Sequence, residues 1–594
     1  MSYIRSLSKV LYIDLTRKTF WVESREDLFS EWLGGIGVAT QLYKEEVPNK
    51  ADPLGPENAI IFAVGPFTMA YPLGSKTVAV FKSPLNGYFA ESHAGGRSAA
   101  AIRLAGYGAI VIKGASERPL YLVIDGNKVL FRDAGTLWGM RSTETVGRVL
   151  RDATSGAGVR TIMRIGKAGE RLVRYATVIT ETYRHFGRLG LGAVFGSKKL
   201  KALVIIGKGG FKVPNPREYR EVFKEIYETA TKSPVMRKYH DLGTAANVIP
   251  LSKIGALPTR NFSSGSFEYA EEISGEKLAE HVLARRVACS GCPIACIHVA
   301  ALREPYGDEP YFYKTTFISY DYELLYSLGS NLGISSREGL LKLIYAVEEE
   351  GLDAISTGVI LAWITEAFKK GLISEKEVLA KPDWGKYEEY IKIVHNIIKQ
   401  PNEFYKVAAL GVHELGKKYG GEEFAIEFNK VEPAGYHTGP LFIASLIIGA
   451  RHSHLDSGAY SIDQKLLKAG KPVPEVKEGF KMIYEEESWR QVLNSLVICL
   501  FARGLYKPEV VLKALRGLGY RFRSVDELKE LGRRIYLKKH LIKLSEGYDP
   551  LKVKVPKRLL EVKTALGPVN EEYVKGIVKE YVTTVREESK KELL

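Results

Sequence analysis

Cysteine is scarce: the 594 residues contain four. That excludes a disulfide-stapled secreted fold, which concentrates cystines in a short chain. Long apolar runs are missing too. Stretches such as LFIASLIIGA at 441–450 fall short of the roughly 18–20 residues that cross a bilayer. The leading MSYIRSLSKVLYIDL has neither the apolar core nor the cleavage site of a signal peptide, so a cytoplasmic location is the expectation. The formal charge is +16, yet no zinc-finger spacing, RNA-binding sheet signature or arginine-rich arm accompanies it, and nucleic acid is not an expected partner. Scattered basic residues suit a solvated surface, or the docking of a small acidic electron carrier. Glutamine stands only at Gln41, Gln400, Gln464 and Gln491 amid abundant Lys, Glu and Arg, a bias of heat-adapted proteins. No period of 20–50 residues marks a repeat array.

The residues present divide the chain by texture. Up to position 208, short β-branched runs such as KVLYIDL, NAIIFAVGPF, TVAVF, YGAIVIKG and KALVIIG alternate with glycine and proline, the pattern of strands bounded by turns. Beyond it, PREYREVFKEIYETATKS, REGLLKLIYAVEEEG and GVILAWITEAFKKG carry apolar residues at helical spacing. An α+β architecture is predicted: a sheet-rich domain over 1–208, then mainly helical domains over 209–427 and 428–594. The first joint falls at VPNPREYREV, where Pro216 is placed to open a helix. The second falls at FNKVEPAGYHTGP.

Three of the four cysteines form CSGCPIAC, Cys289, Cys292 and Cys296, and the fourth, Cys499, lies far downstream. A triplet plus one remote thiolate suits a cuboidal 4Fe-4S cluster, in which four thiolates each hold one iron. Structural zinc and buried unligated cysteine remain as alternatives on spacing alone. Cys499, in LNSLVICLFARG, reads by itself as a buried helical residue.

Three glycine clusters, at 65–77, 91–108 and 187–205, each carry a basic residue: Lys76, Arg97 and Arg188. Glycine lets backbone N–H groups approach an anion, so the set points to a large phosphorylated cofactor. None is a P-loop. GGIGVA at 34–39 follows a helical pattern where a dinucleotide fingerprint would need a strand.

LYIDLTRKTFWVE, LGGIGVATQLY, DPLGPENAIIFAVGPFT, KSPLNGYFAESHAGG, AGYGAIVIKG, GRLGLGAVFGSKKLKAL, YELLYSLGSNLGI, GLDAISTG, CSGCPIAC and Cys499, in this order, resemble the aldehyde:ferredoxin oxidoreductase family over nearly the whole chain. The resemblance implies a first domain that forms a base for two pterins, which hold one tungsten atom through dithiolene sulfurs. It implies helical domains that close over them and a 4Fe-4S cluster on the four cysteines. It places the pterin phosphates and a bridging Mg2+ near Lys76, His93, Ala94, Gly95, Arg188, Leu189 and Gly190, and the pterin rings against Asp353 and Asn494. The family commonly has Arg where Lys76 stands, Asn where His93 stands and Asp where Asn494 stands, and GARHSHL at 449–455 departs from its usual motif; these changes mark a divergent subfamily.

The matching catalytic positions are Glu323, for moving a proton from water or the aldehyde hydrate, and His454, for a hydrogen bond to the carbonyl oxygen. Without the resemblance the two read as a capping glutamate and a core histidine. His437 and His452 are further pocket candidates. The implied reaction oxidises a small aldehyde to a carboxylic acid and passes electrons to ferredoxin. The other readings are the catalytic subunit of a larger redox complex with a ferredoxin-like small subunit, a reductive relative, and a non-enzymatic iron–sulfur electron-transfer protein. A homodimer or heterodimer is compatible with each.

Overall fold

The computed structural model describes residues 3–181, 183–308 and 311–592. Its first part is built from two six-stranded mixed sheets. In the first, β1 (Lys9–Asp14), β2 (Thr19–Ser24), β3 (Ile60–Ala63), β4 (Thr77–Lys82), β5 (Phe89–Ala94) and β6 (Ala109–Lys113) run in the order β2-β1-β6-β3-β4-β5. In the second, β7 (Leu120–Asp125), β8 (Lys128–Asp133), β9 (Val159–Arg164), β10 (Val178–Ile179), β11 (His185–Phe186) and β12 (Leu200–Gly207) run in the order β11-β10-β9-β12-β7-β8. Interior strands such as IIFA (β3) and LKALVIIG (β12) are buried along their whole length, which is why they read as continuous apolar runs rather than alternating ones. The edge strand β2 is exposed throughout. Phe62 of β3 meets Phe186 of β11 edge-on at 5.4 Å, joining the sheets through one apolar core.

Helices dominate thereafter, and Pro216 opens Pro216–Lys232 as expected. Ala354–Lys369 and Pro440–Ile448 are apolar nearly all round and almost wholly buried at the centre of a second core, with Trp363 completely enclosed. Among the described residues no helix is long and apolar enough to cross a membrane.

One element departs from the expected helical texture. A three-stranded antiparallel sheet, β13 (Leu283–Val287), β14 (Ile297–Pro305) and β15 (Tyr313–Tyr320), brackets the cysteine motif. β13 reads LARRV and is mostly exposed, so it carries no apolar signal to betray it. The consequence is functional, because CSGCPIAC is the connection of a hairpin whose ends are pinned at Val287↔Ile297.

The helix Val476–Ser495 belongs by sequence to the C-terminal third, yet its last turn packs into the core of the sheets. Glycines explain how. A Cβ at Gly35 would strike the Asn494 carbonyl, one at Gly65 the Ser495 carbonyl, and one at Gly37 would lie 3.1 Å from Ser495 Oγ. The Ser495 hydroxyl also accepts the Gly37 N–H at 3.1 Å. GGIGVA is thus a seat for a helix end.

Candidate functional site

The seated helix end delivers Asn494 and, just beyond it, Cys499 to a cavity of about 310 Å³ between the two cores. Lys76, His93, Gly95, Arg188, Glu323, Asp353, His454, Asn494 and Cys499 all line it.

Register builds the floor. Thr77↔Ala94 and Val78↔His93 pair across β4 and β5, which brings Lys76 beside Gly95. A Cβ at Gly95 would lie 2.8 Å from Cys289 Sγ and 3.5 Å from Lys76 Nζ, so only glycine lets the cysteine loop come this close. Arg188 Nε lies 3.0 Å from Asp353 Oδ2, and Asp353 caps the helix Ala354–Lys369 by accepting from Ile355 N and Ser356 N. Burial pushes the Asp353 carboxyl up, against the pull of Arg188. Leu189 and Gly190 turn with φ of +69° and +84° before the helix Leu191–Ser197, and the Leu189 carbonyl accepts from Ser83 Oγ at 2.8 Å. Ala94 ends β5 within the same floor.

The four cysteines converge. Leu73 ties their segments together: its N–H donates to the Gly291 carbonyl at 3.1 Å and its carbonyl accepts the Cys499 N–H at 2.9 Å. Cys499 is not inside a helix, contrary to its local pattern; it precedes the short turn Leu500–Ala502 and is half-buried. Arg184 Nη2 lies 3.9 Å from Cys296 Sγ. Burial pushes the Cys292 thiol up to about 12 and the Cys296 thiol to about 11, each raised further by the other cysteines. No three sulfurs lie within 4.8 Å of one another among the described residues, whereas thiolates about 2.3 Å from a common zinc would.

Glu323 and His454 face each other with Oε1 and Nε2 3.5 Å apart. Asp321, not Glu323, caps the helix Tyr322–Ser327, which leaves the glutamate free to point inward, where Oε2 accepts the Gly435 N–H at 3.3 Å. Burial, then the Asp321 charge, pushes the Glu323 carboxyl to about 8. Burial and the nearby Arg188, Arg451 and Arg490 push His454 down to about 3. At neutral pH the pair is therefore a carboxylic acid beside a neutral imidazole, not an ion pair, and one oxygen atom can sit within hydrogen-bond reach of both.

The remaining histidine candidates do not line the cavity. His437 Nε2 faces the Val562 carbonyl at 2.9 Å, and His452 pairs with Lys543, Asn429 and the Leu446 carbonyl. Conversely, sequence reasoning missed a buried ion cluster in the cavity wall. Glu91 lies 2.9 Å from Lys539 Nζ and 3.0 Å from Arg451 Nε, which also meets Asp456 at 3.0 Å. Burial drives the Glu91 carboxyl up, but Lys539 and Arg451 outweigh it and hold it below its ordinary value. Glu91 shares a strand face with His93, two residues on, and that alternation was the signal available.

Several buried polar atoms in the cavity wall have no hydrogen-bond partner: Arg184 Nε, Arg188 Nη1, His93 Nε2, Asn494 Nδ2 and Glu323 Oε1. Such groups in a large cavity are the mark of a polar ligand.

The family description "Aldehyde ferredoxin oxidoreductase, N-terminal domain" matches residues 10–207, and "Aldehyde ferredoxin oxidoreductase, domains 2 & 3" matches residues 221–587. The chain belongs to the aldehyde ferredoxin oxidoreductase family. Within the family it is 34% identical over 583 residues to the tungsten-containing aldehyde ferredoxin oxidoreductase of Pyrococcus abyssi, covering 94% of this chain and 92% of the relative. It is 33% identical over 436 residues to the aliphatic sulfonate oxidoreductase, WOR-like subunit, of Pyrococcus furiosus, covering 69% and 67%. The active site complex BamBC of benzoyl coenzyme A reductase shares the fold, with a TM-score of 0.81 at 20% identity over 98% of this chain and 95% of that one.

Proposed function

We propose that the protein oxidises an aldehyde to the carboxylic acid with water and passes the electrons through one 4Fe-4S cluster to a ferredoxin. In that reaction the aldehyde C–H bond breaks, a C–O bond to the water oxygen forms, and two protons and two electrons leave. The observation that carries the reading is that the cavity lined by the Glu323–His454 pair is lined also by Cys499, which Leu73 ties to the cysteine hairpin, from segments remote in sequence.

A tungsten bis-pterin fits the residues present. Lys76 and Arg188 would hold its phosphates, with the backbone at His93, Ala94, Gly95, Leu189 and Gly190 close to them and to a bridging Mg2+. Asp353 and Asn494 would meet the rings, and the unpartnered Arg188 Nη1 and Asn494 Nδ2 supply donors for such a group. Once bound, the group supplies the two-electron acceptor. Cys289, Cys292, Cys296 and Cys499 would hold the iron–sulfur cluster, and sulfurs spread more widely than one ion allows support a cluster over zinc. The chain's own part is proton handling and orientation. His454 hydrogen-bonds the carbonyl oxygen and fixes the aldehyde carbon, Glu323 in its ionised form takes the proton of the attacking water, and the enclosing apolar walls keep bulk water from both.

Native protein, or protein expressed with tungstate, is assayed for metals and for aldehyde-dependent viologen reduction. About one tungsten and about four irons per chain are expected, with turnover. Loaded protein that reduces no viologen with any aldehyde overturns the reading.

A second reading makes the chain the catalytic subunit of a larger redox complex. Its support is the 33% identity to a relative named as a subunit, and a cysteine-rich small protein that copurifies with the chain is its test.

A further inference from the structure

His454 stands on a turn, 451–456, between the helices Pro440–Ile448 and Ala459–Lys468. Its imidazole has two polar side-chain neighbours, Glu323 Oε1 and Ser453 Oγ, each at 3.5 Å. Both separations are long for hydrogen bonds, so the place of the ring follows from the backbone that carries it.

Asp456 folds that backbone. Its Oδ2 accepts the Arg451 N–H and the Ser453 N–H, each at 3.1 Å, and its own N–H donates to the Ser453 carbonyl at 3.1 Å. A Cβ at Gly449 would lie 2.4 Å from the same Oδ2, so glycine there makes room for the carboxylate. His452 enters the turn with φ of +52°, its Nδ1 held 2.7 Å from the Leu446 carbonyl.

One side chain fastens this turn across the cavity. The buried Arg451 places Nε 3.0 Å from Asp456 Oδ1 and 3.0 Å from Glu91 Oε1, and its Nη2 donates to the Leu455 carbonyl at 2.9 Å. Burial works against the guanidinium charge, but Glu91 and Asp456 outweigh it. Glu91 belongs to β5, the strand that leads to Gly95 and the close approach of Cys289. The two carboxylates that share Arg451 thus sit on opposite sides of the cavity, and a rigid planar cation with several donors is the group able to bridge them.

We propose that Arg451 is a positioning residue: by joining Asp456 of the turn to Glu91 of β5 it fixes His454 above the floor of the cavity, and turnover depends on that tie. This rests on the aldehyde reading above. A histidine displaced by about 1 Å no longer meets the carbonyl oxygen and costs on the order of a hundredfold in rate.

Tungsten-loaded wild type, Arg451→Gln and Arg451→Lys are assayed with butanal and a saturating viologen, with kcat expressed per bound tungsten. In Arg451→Gln kcat is expected to fall about a hundredfold while KM stays within about threefold; Arg451→Lys, which keeps a cation between the carboxylates, recovers at least about tenfold of the loss. Wild-type kcat per tungsten in Arg451→Gln, a defect confined to KM, or a lysine variant no faster than the glutamine one overturns the proposal. Should Arg451→Gln fail to fold, Glu91→Gln takes its place, since it leaves the bonds within the turn intact: lowered kcat at constant KM is expected, and wild-type kcat overturns the tie. Hydrogen exchange of the same loaded proteins, followed by mass spectrometry on peptides spanning 449–458, supplies a readout apart from turnover. Exchange there quickens about tenfold or more when the tie is cut, and unchanged exchange overturns the proposal. If no aldehyde is oxidised, the reaction reading fails separately and the exchange measurement alone decides whether Arg451 holds the turn.

Discussion

Glu323 and His454 illustrate how burial suppresses the charge that a titratable side chain can carry in water. The carboxyl, pushed to about 8, keeps its proton below that pH and becomes a base above it. If it accepts the proton of water, kcat/KM rises as pH passes through about 8. In Glu323→Gln turnover falls about a hundredfold or more and the rise vanishes, with tungsten and iron content unchanged; a retained profile assigns the proton to another group. Arg184 makes a different prediction at this scale. Its cation lies 3.9 Å from Cys296 Sγ and 3.9 Å from Asp321, and a positive charge favours the more negative, reduced form of a cluster. In Arg184→Gln the midpoint potential followed by electron paramagnetic resonance shifts downward at constant iron content, and an unchanged potential removes Arg184 from that role.

At the scale of elements, the decisive contact is a helix end seated on glycines. Asn494 and Cys499 reach the cavity because Gly35 and Gly65 let the end of Val476–Ser495 lie against the backbone of the first domain. Gly65→Ala is expected to displace that end and cost about 1–3 kcal/mol, seen as a lowered thermal midpoint together with loss of bound iron. A stable variant with full iron refutes the seating role. The sequence displayed these glycines, but the spacing around Gly35 suggested nucleotide binding and was set aside, and Gly65 was read with the cofactor loops; what they serve is visible only with their partner, which is over four hundred residues away. The exposed strand β13 was illegible for the opposite reason, since LARRV has no apolar face to give it a period.

The whole molecule is held by ties between distant parts of the chain. Glu91, on a strand of the first sheet, is bound to Lys539, on a C-terminal helix, in a site from which water is excluded. Lys539→Met leaves the carboxylate short of a partner and should cost up to about 3–5 kcal/mol, while the double variant Glu91→Gln/Lys539→Met should recover much of the loss because no charge is stranded. Thermal unfolding of the two variants measures the difference, and a double variant no more stable than the single one shows that the tie is not an isolated pair.

By itself the sequence determined what local pattern and ligand chemistry can determine. Buried strands are continuous β-branched runs, core helices are apolar all round, and a C-x2-C-x3-C triplet with glycine-borne cations points to a cluster and a phosphorylated cofactor. Only the tertiary structure decided which groups meet and in what charge state. It turned His437 and His452 to backbone and lysine partners, brought Cys499 to the cysteine hairpin through Leu73, and made Glu323 an acid at neutral pH. The physical reason is that proximity and desolvation depend on neighbours hundreds of residues away, and no window of sequence contains them.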